Sequence, residues 1–206
     1  MEQSWLVREL EESRRRGYLG SGPIEAQIQH SLGYVAAWET QRAEDPLRVL
    51  DLGSGGGVPG LVLATHWRSQ LVLLDSMIRR TSFLEDVVRR NHLDMVTVVT
   101  GRAENLARDV THSGGYDLVV ARSFGPPSVV VECATGFLAL GGLLIVSEPP
   151  HGDSESRWPA SHISTLGFVS RGTFQGQHRF VVLERVFDVD ARYPRRSGLP
   201  SKSPLF

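Results

Sequence analysis

The chain has 206 residues, 41% hydrophobic and 22% charged, with 22 basic against 23 acidic residues and a net charge of −1. That size and composition specify one globular domain with its own core and exclude collagen, coiled coil and a disordered chain. Near-neutrality excludes indiscriminate adhesion to nucleic acid, yet residues 191–206 carry three arginines, the single lysine Lys202 and no acid, so a +4 tail follows a body of −5.

Residues 1–46 read as two helices broken at Gly17–Pro23, where Gly-Tyr-Leu-Gly-Ser-Gly-Pro defeats helical continuation. From Leu47 short β-branched runs alternate with helical patterns, the mark of repeated βαβ units. Strands are expected over 48–52, 70–75, 96–100, 117–122 and 143–146, with helices over 60–66, 77–91, 103–109 and 128–139. The strands are continuously apolar, as in a parallel sheet covered on both faces. In the helix over 77–91, Phe83, Leu84, Val87 and Val88 recur at helical spacing while Arg79, Arg80, Arg89 and Arg90 stay polar.

Past Pro149-Pro150 a polar loop leads to a short helix near 161–166. Runs over 168–174 and 178–187, joined by Gln175-Gly176-Gln177, then form an antiparallel hairpin at the sheet edge. Residues 193–206 hold three prolines and one glycine and are expected as an irregular tail. The organisation expected is a helical extension over 1–46, an α/β domain over 47–190 with a mostly parallel sheet, and a basic tail over 191–206.

The strongest chemical feature is Val49-Leu50-Asp51-Leu52-Gly53-Ser54-Gly55-Gly56-Gly57-Val58-Pro59-Gly60, a buried strand entering a glycine loop and then a helix. Glycines such as Gly55 let backbone approach a ligand crossing the strand ends. Gly55, Gly57 and Gly60 match G-x-G-x-x-G, which raises a nicotinamide dinucleotide. Asp51 argues against it, because a carboxylate beside the loop repels a pyrophosphate at the helix N-terminus. S-adenosylmethionine, with a sulfonium, an amino group and no phosphate, is compatible with that acid. A P-loop is excluded, since Leu61 and Val62 follow the glycines in place of Lys and Ser/Thr. The plainer alternative is that Asp51 only caps the loop amides. Asp75, ending the next strand, stands where ribose-binding carboxylates sit, and capping the helix near Met77 explains it almost equally well.

These residues resemble the GidB (RsmG) family of methyltransferases. The resemblance spans Val49 to Leu205. It rests on Asp51 to Gly60; on Leu74-Asp75-Ser76 with Arg79-Arg80 and Phe83-Leu84; on Gly101-Arg102-Ala103-Glu104; and on Ala121-Arg122-Ser123-Phe124. The closing Tyr193-Pro194-Arg195-Arg196-Ser197-Gly198-Leu199-Pro200-Ser201-Lys202-Ser203-Pro204-Leu205 is its most specific part. The resemblance implies a Rossmann-like class I fold and S-adenosylmethionine-dependent methylation of guanine N7 in 16S ribosomal RNA of the small subunit. It also implies cofactor contacts at Gly53, Val58, Ala103, Glu104 and Arg122, with Asp75 beside them.

Two departures stand out. The family's Asn-Leu-Thr stretch has no counterpart in the N-terminal helices. Where the family has Lys-Gly after the fifth strand, this chain reads Ser147-Glu148-Pro149-Pro150, placing a carboxylate beside the acceptor site.

Guanine N7 has a free lone pair and needs no general base, so the absence of a catalytic dyad fits direct in-line displacement. The seven histidines form no His-x-x-x-His or His-Glu-x-x-His set, and no Gly-x-Ser-x-Gly elbow occurs, so neither zinc hydrolysis nor a serine nucleophile is expected. Arg192, Arg195, Arg196 and Lys202, with Tyr193 interleaved, are the candidate RNA contacts; a solvated tail without a partner is the alternative. Cys133 is the single cysteine, so an intrachain disulfide and a Cys-x-x-Cys metal site are both impossible. With no signal-like leader and no apolar run near ~20 residues, a cytoplasmic monomer without a membrane partner is expected. The rival readings are a non-catalytic paralogue that binds cofactor or ribosome, a small-molecule methyltransferase and, more weakly, a nicotinamide oxidoreductase.

Overall fold

The computed structural model describes residues 4–206, so the first three residues of the expected N-terminal extension lie outside the described residues. A seven-stranded sheet runs in the order β3-β2-β1-β4-β5-β7-β6. Its strands are β1 (Arg48–Leu52), β2 (Gln70–Asp75), β3 (Val96–Thr100), β4 (Tyr116–Ala121), β5 (Leu138–Glu148), β6 (Phe168–Gln175) and β7 (Arg179–Arg185). β1 to β5 are parallel, and β7 lies antiparallel between β5 and β6. The expected hairpin therefore closes the edge, with its second strand inserted inward.

Side chains on a strand alternate faces, and β1 divides accordingly. Val49 joins a core with α1 (Ser4–Arg15), α2 (Ile24–Glu39), α3 (Gly60–Leu63) and α4 (Ile78–Arg90). Leu50 and Leu52 join the opposite core with α5 (Ala103–Leu106) and α6 (Pro127–Thr135). Both faces of the sheet are covered, as its apolar strands require.

Two expectations are corrected. The helix expected over 128–139 ends at Thr135, and Leu138 already pairs with Tyr116 in β5. Phe137, Leu138 and Leu140 extend the helical apolar pattern, but the register shifts between Tyr116 and Leu118, and residues 139–142 take up the slack. The helices after β1 and β3 are single turns. The C-terminal segment is irregular as expected apart from one turn of helix (Leu199–Lys202), and it is docked on the body, burying Pro194 and Pro200. Leu205 and Phe206 pack against the second core. Arg108 donates to the carbonyls of Arg192 (2.7 Å) and Pro194, tying the segment's start to the body.

The N-terminal helices reach the glycine loop. Ser13 Oγ donates to Gly56 O at 2.8 Å, and Tyr34 Oη donates to Ala121 O at 2.8 Å at the end of β4. Chain order reverses between β1 and β4, the crevice where ligands bind in open α/β sheets.

Candidate active site

The loop after β1 is drawn onto β2, with Gly53 N and Ser54 N donating to Leu74 O at 2.8 and 2.9 Å. Beneath it lies Asp51, fully buried, whose Oδ2 accepts from Gly60 N at 2.9 Å. A Cβ at Gly60 would stand 2.5 Å from that oxygen and 2.2 Å from Leu73 Cδ2, so only glycine fits. Asp51 lines none of the three cavities described below and holds the loop from underneath, in keeping with the plainer alternative that it caps the loop amides.

Burial pushes the Asp51 carboxyl up to about 7, against the opposing Gly60 N–H and Ser54 hydroxyl. Between its ordinary value of 3.8 and about 7 the folded chain holds a proton that the unfolded chain has released, so stability falls as pH rises through that window. Asp51→Asn keeps the acceptor for Gly60 and removes the titration. Urea unfolding at about pH 5 and about pH 8 should show wild type losing ~2–3 kcal/mol relative to the variant. A difference independent of pH would show that Asp51 ionises in the ordinary carboxylate range.

Asp75 bridges the glycine loop and the entry of the next helix. Its Oδ2 accepts from Gly55 N at 2.9 Å and its Oδ1 from Met77 N at 2.8 Å, with Arg80 Nη1 at 3.4 Å. The carboxylate thus joins the loop to the entry of α4 through an Asx turn.

A cavity of about 200 Å³ opens beside it, lined by Gly53, Asp75, Met77, Ala103, Glu104 and Phe124 among others. A second, of about 210 Å³, is lined by Tyr18, Gly53, Gly55, Val58 and Arg122. They share Gly53, Arg80 and Ser123, forming one trough across the end of β1. Glu104 Oε1, at its far end, accepts from Gly198 N (2.8 Å) and Arg102 Nη2 (2.9 Å). The third cavity, about 370 Å³, holds His30, Arg122, Glu148, Arg157 and Trp158. Arg122 and Ser123 belong to both the second and the third.

Burial lowers the Arg122 guanidinium from its ordinary value, and Nη1 is buried without a partner among the described residues. An unmet buried donor is costly and suits an incoming anionic group. Burial, with the charges of Arg122 and His178, also drives His30 down to about 4, so its imidazole is neutral near pH 7. Glu148 is not the lone carboxylate expected. It is buried and pairs with Arg157 through Nε–Oε2 (3.0 Å) and Nη2–Oε1 (3.3 Å), so the third cavity keeps a positive balance.

Six of the expected cofactor residues, Gly53, Val58, Ala103, Glu104, Arg122 and Gly55, meet along the trough, with Asp75 at its side. Of the four tail cations, Arg196 and Lys202 are exposed and Arg192 lies over the Tyr193 ring at 5.0 Å. Arg195 turns inward onto Glu132. Sequence reasoning gave no site role to Ser123, which lines all three cavities at φ +55°, or to His30, Arg157 and Ser201. The Arg-Ser-Phe motif points at Ser123 and the closing motif at Ser201; His30 and Arg157 carry no local signal.

The donor set suits a zwitterionic nucleoside: positive-φ glycine backbone, an unmet guanidinium donor and a carboxylate at the end of β2. With the reversed seventh strand, these features define a class I S-adenosylmethionine-dependent methyltransferase. A methyltransferase from Pyrococcus furiosus superposes with a TM-score of 0.55 at 13% identity, covering 76% of this chain and 83% of that one. A variant of MtNAS in complex with S-adenosylmethionine gives 0.60 at 14% identity, covering 88% and 73%. Residues 23–167 match the family model GidB, rRNA small subunit methyltransferase G. A ribosomal RNA small subunit methyltransferase G from Carboxydothermus hydrogenoformans is 32% identical over 193 residues, covering 90% of this chain and 82% of that protein. The protein so named from Alkaliphilus metalliredigens is 30% identical over 189 residues, covering 88% and 79%. The chain belongs to the GidB family.

Proposed function

We propose that the protein methylates N7 of a guanine in 16S ribosomal RNA, within or destined for the small subunit, as a cytoplasmic monomer. The observation that carries this reading is the junction of trough and third cavity at Arg122 and Ser123, in a pocket without a competent base. Its carboxylate, Glu148, is held by Arg157, and its imidazole, His30, titrates near 4. Such a pocket serves poorly an acceptor that must lose a proton and serves well one with a free lone pair. Bound S-adenosylmethionine supplies a sulfonium methyl, which N7 takes by direct in-line displacement.

In this reading Gly53, Gly55 and Val58 present backbone to the cofactor, Arg122 holds its carboxylate, Asp75 the ribose, and Ala103 and Glu104 the adenine end. Arg192, Arg196 and Lys202 meet RNA phosphates, and Arg195 is withdrawn from that set because its fork is occupied by Glu132. The Glu148–Arg157 pair removes the charge reversal that favoured a non-catalytic paralogue.

The test uses small subunits from a strain lacking the protein, incubated with it and methyl-labelled cofactor. Label is expected in the RNA and not in ribosomal protein. Cofactor binding without incorporation would overturn the reading.

A further inference from the structure

We propose that Arg195 is a positioning residue for the cofactor, acting through the C-terminal segment it anchors; this rests on reading the 200 Å³ cavity as part of the cofactor site. Glu132, on α6, is fully buried. Its Oε1 accepts from the backbone N and Nε of Arg195, both at 2.8 Å, and its Oε2 from Nη2 at 2.7 Å. The same Nη2 donates to Ser203 O at 2.8 Å, so one guanidinium pins both ends of the loop from Arg195 to Ser203.

Inside that loop are the segment's two links to the cavity. Gly198 donates its N–H to the Glu104 carboxylate, and Ser201 lines the cavity wall. Gly198 has φ +80° with open space where a Cβ would be, so glycine is there for the turn that aims this N–H at Glu104. Three charge-assisted bonds to a buried carboxylate are strong, and removal of the arginine leaves an uncompensated charge that favours undocking of the whole loop. Undocked, Glu104 loses its Gly198 donor and the cavity loses the Ser201 wall. Affinity then falls with the fraction of molecules in which the segment is docked.

The experiment measures S-adenosylmethionine binding by calorimetry on the full chain, well below each variant's unfolding temperature, with no RNA present. Arg195→Ala should weaken binding about tenfold or more, and Arg195→Lys, which keeps charge without the fork, should rescue part of it. Ser201→Trp changes an exposed side chain, so it should obstruct the cavity and weaken binding while thermal unfolding is unchanged. If Arg195→Ala does not fold, Arg195→Lys and Ser201→Trp decide the matter. Gly53→Val runs alongside, because Gly53 lines the cavity independently of the tail. Loss of binding in Gly53→Val with wild-type affinity in the Arg195 and Ser201 variants would overturn the positioning role and keep the cavity. Wild-type affinity in all of them would overturn both. Unchanged cofactor affinity with a salt slope of RNA binding lowered by about one unit would make Arg195 a phosphate contact instead.

Discussion

Replacing Gly53 by valine is expected to abolish cofactor binding. Gly53 sits at φ +81°, and a Cβ there would lie 2.6 Å from Phe124 Cδ2. A β-branched residue in that region costs roughly 1–3 kcal/mol of strain, and its extra atoms must displace Phe124 or the loop. Gly53 also lines both halves of the trough, so either adjustment narrows the space a ligand would cross. Calorimetry should show affinity reduced at least about a hundredfold, or ~2.7 kcal/mol. Gly53→Ala, with the same backbone strain and fewer atoms, should fall between. Undiminished binding in the valine variant would place the ligand elsewhere.

Arg122→Ala should uncouple activity from stability. The guanidinium is half-buried and its Nη1 meets no partner among the described residues, so its removal relieves an unmet donor rather than breaking a bond. Thermal unfolding should stay level or rise, while kcat/KM for methyl transfer drops by about 10² to 10³, the scale of losing one oriented charge at a reacting centre. Arg122→Lys, lacking the fork, should recover only part of the rate. A variant that loses stability and keeps its activity would make Arg122 a purely structural residue.

Much of this site was legible because its pieces lie at strand ends, and strands announce themselves by apolar runs bounded by glycine or acid. β1, β2 and β3 occupy the residues their patterns indicated. For Asp51 the same alternation decides between the two readings: it shares the Val49 face, covered by helices, so its carboxylate points beneath the loop. Charge and the closing motif both make Arg195 a candidate phosphate contact, because nothing local discloses a buried acid 63 residues away. The same holds for Glu148, since its partner Arg157 lies past two prolines at the end of a polar turn of helix. Charge counts report which ions a chain carries; only the fold reports which have already found each other.

That distinction also reshapes the basic tail. Of its four cations, one is fixed onto a buried carboxylate, leaving Arg192, Arg196 and Lys202 outward on a segment anchored beside the trough. A near-neutral chain can then present a short cationic edge at the mouth of the site and little attraction elsewhere.

The most direct measurement of the central claim is the position and chemistry of the transferred methyl. After reaction with labelled cofactor, 16S RNA is treated with borohydride, which reduces the 7-methylguanine ring so that the base is lost, and then with aniline, which cuts the chain at the abasic sugar. A single new cleavage at one guanine, with the label released from the RNA as the base leaves, is the result expected of N7 transfer. Labelled RNA that resists cleavage would mean that the methyl went to another atom and would contradict it.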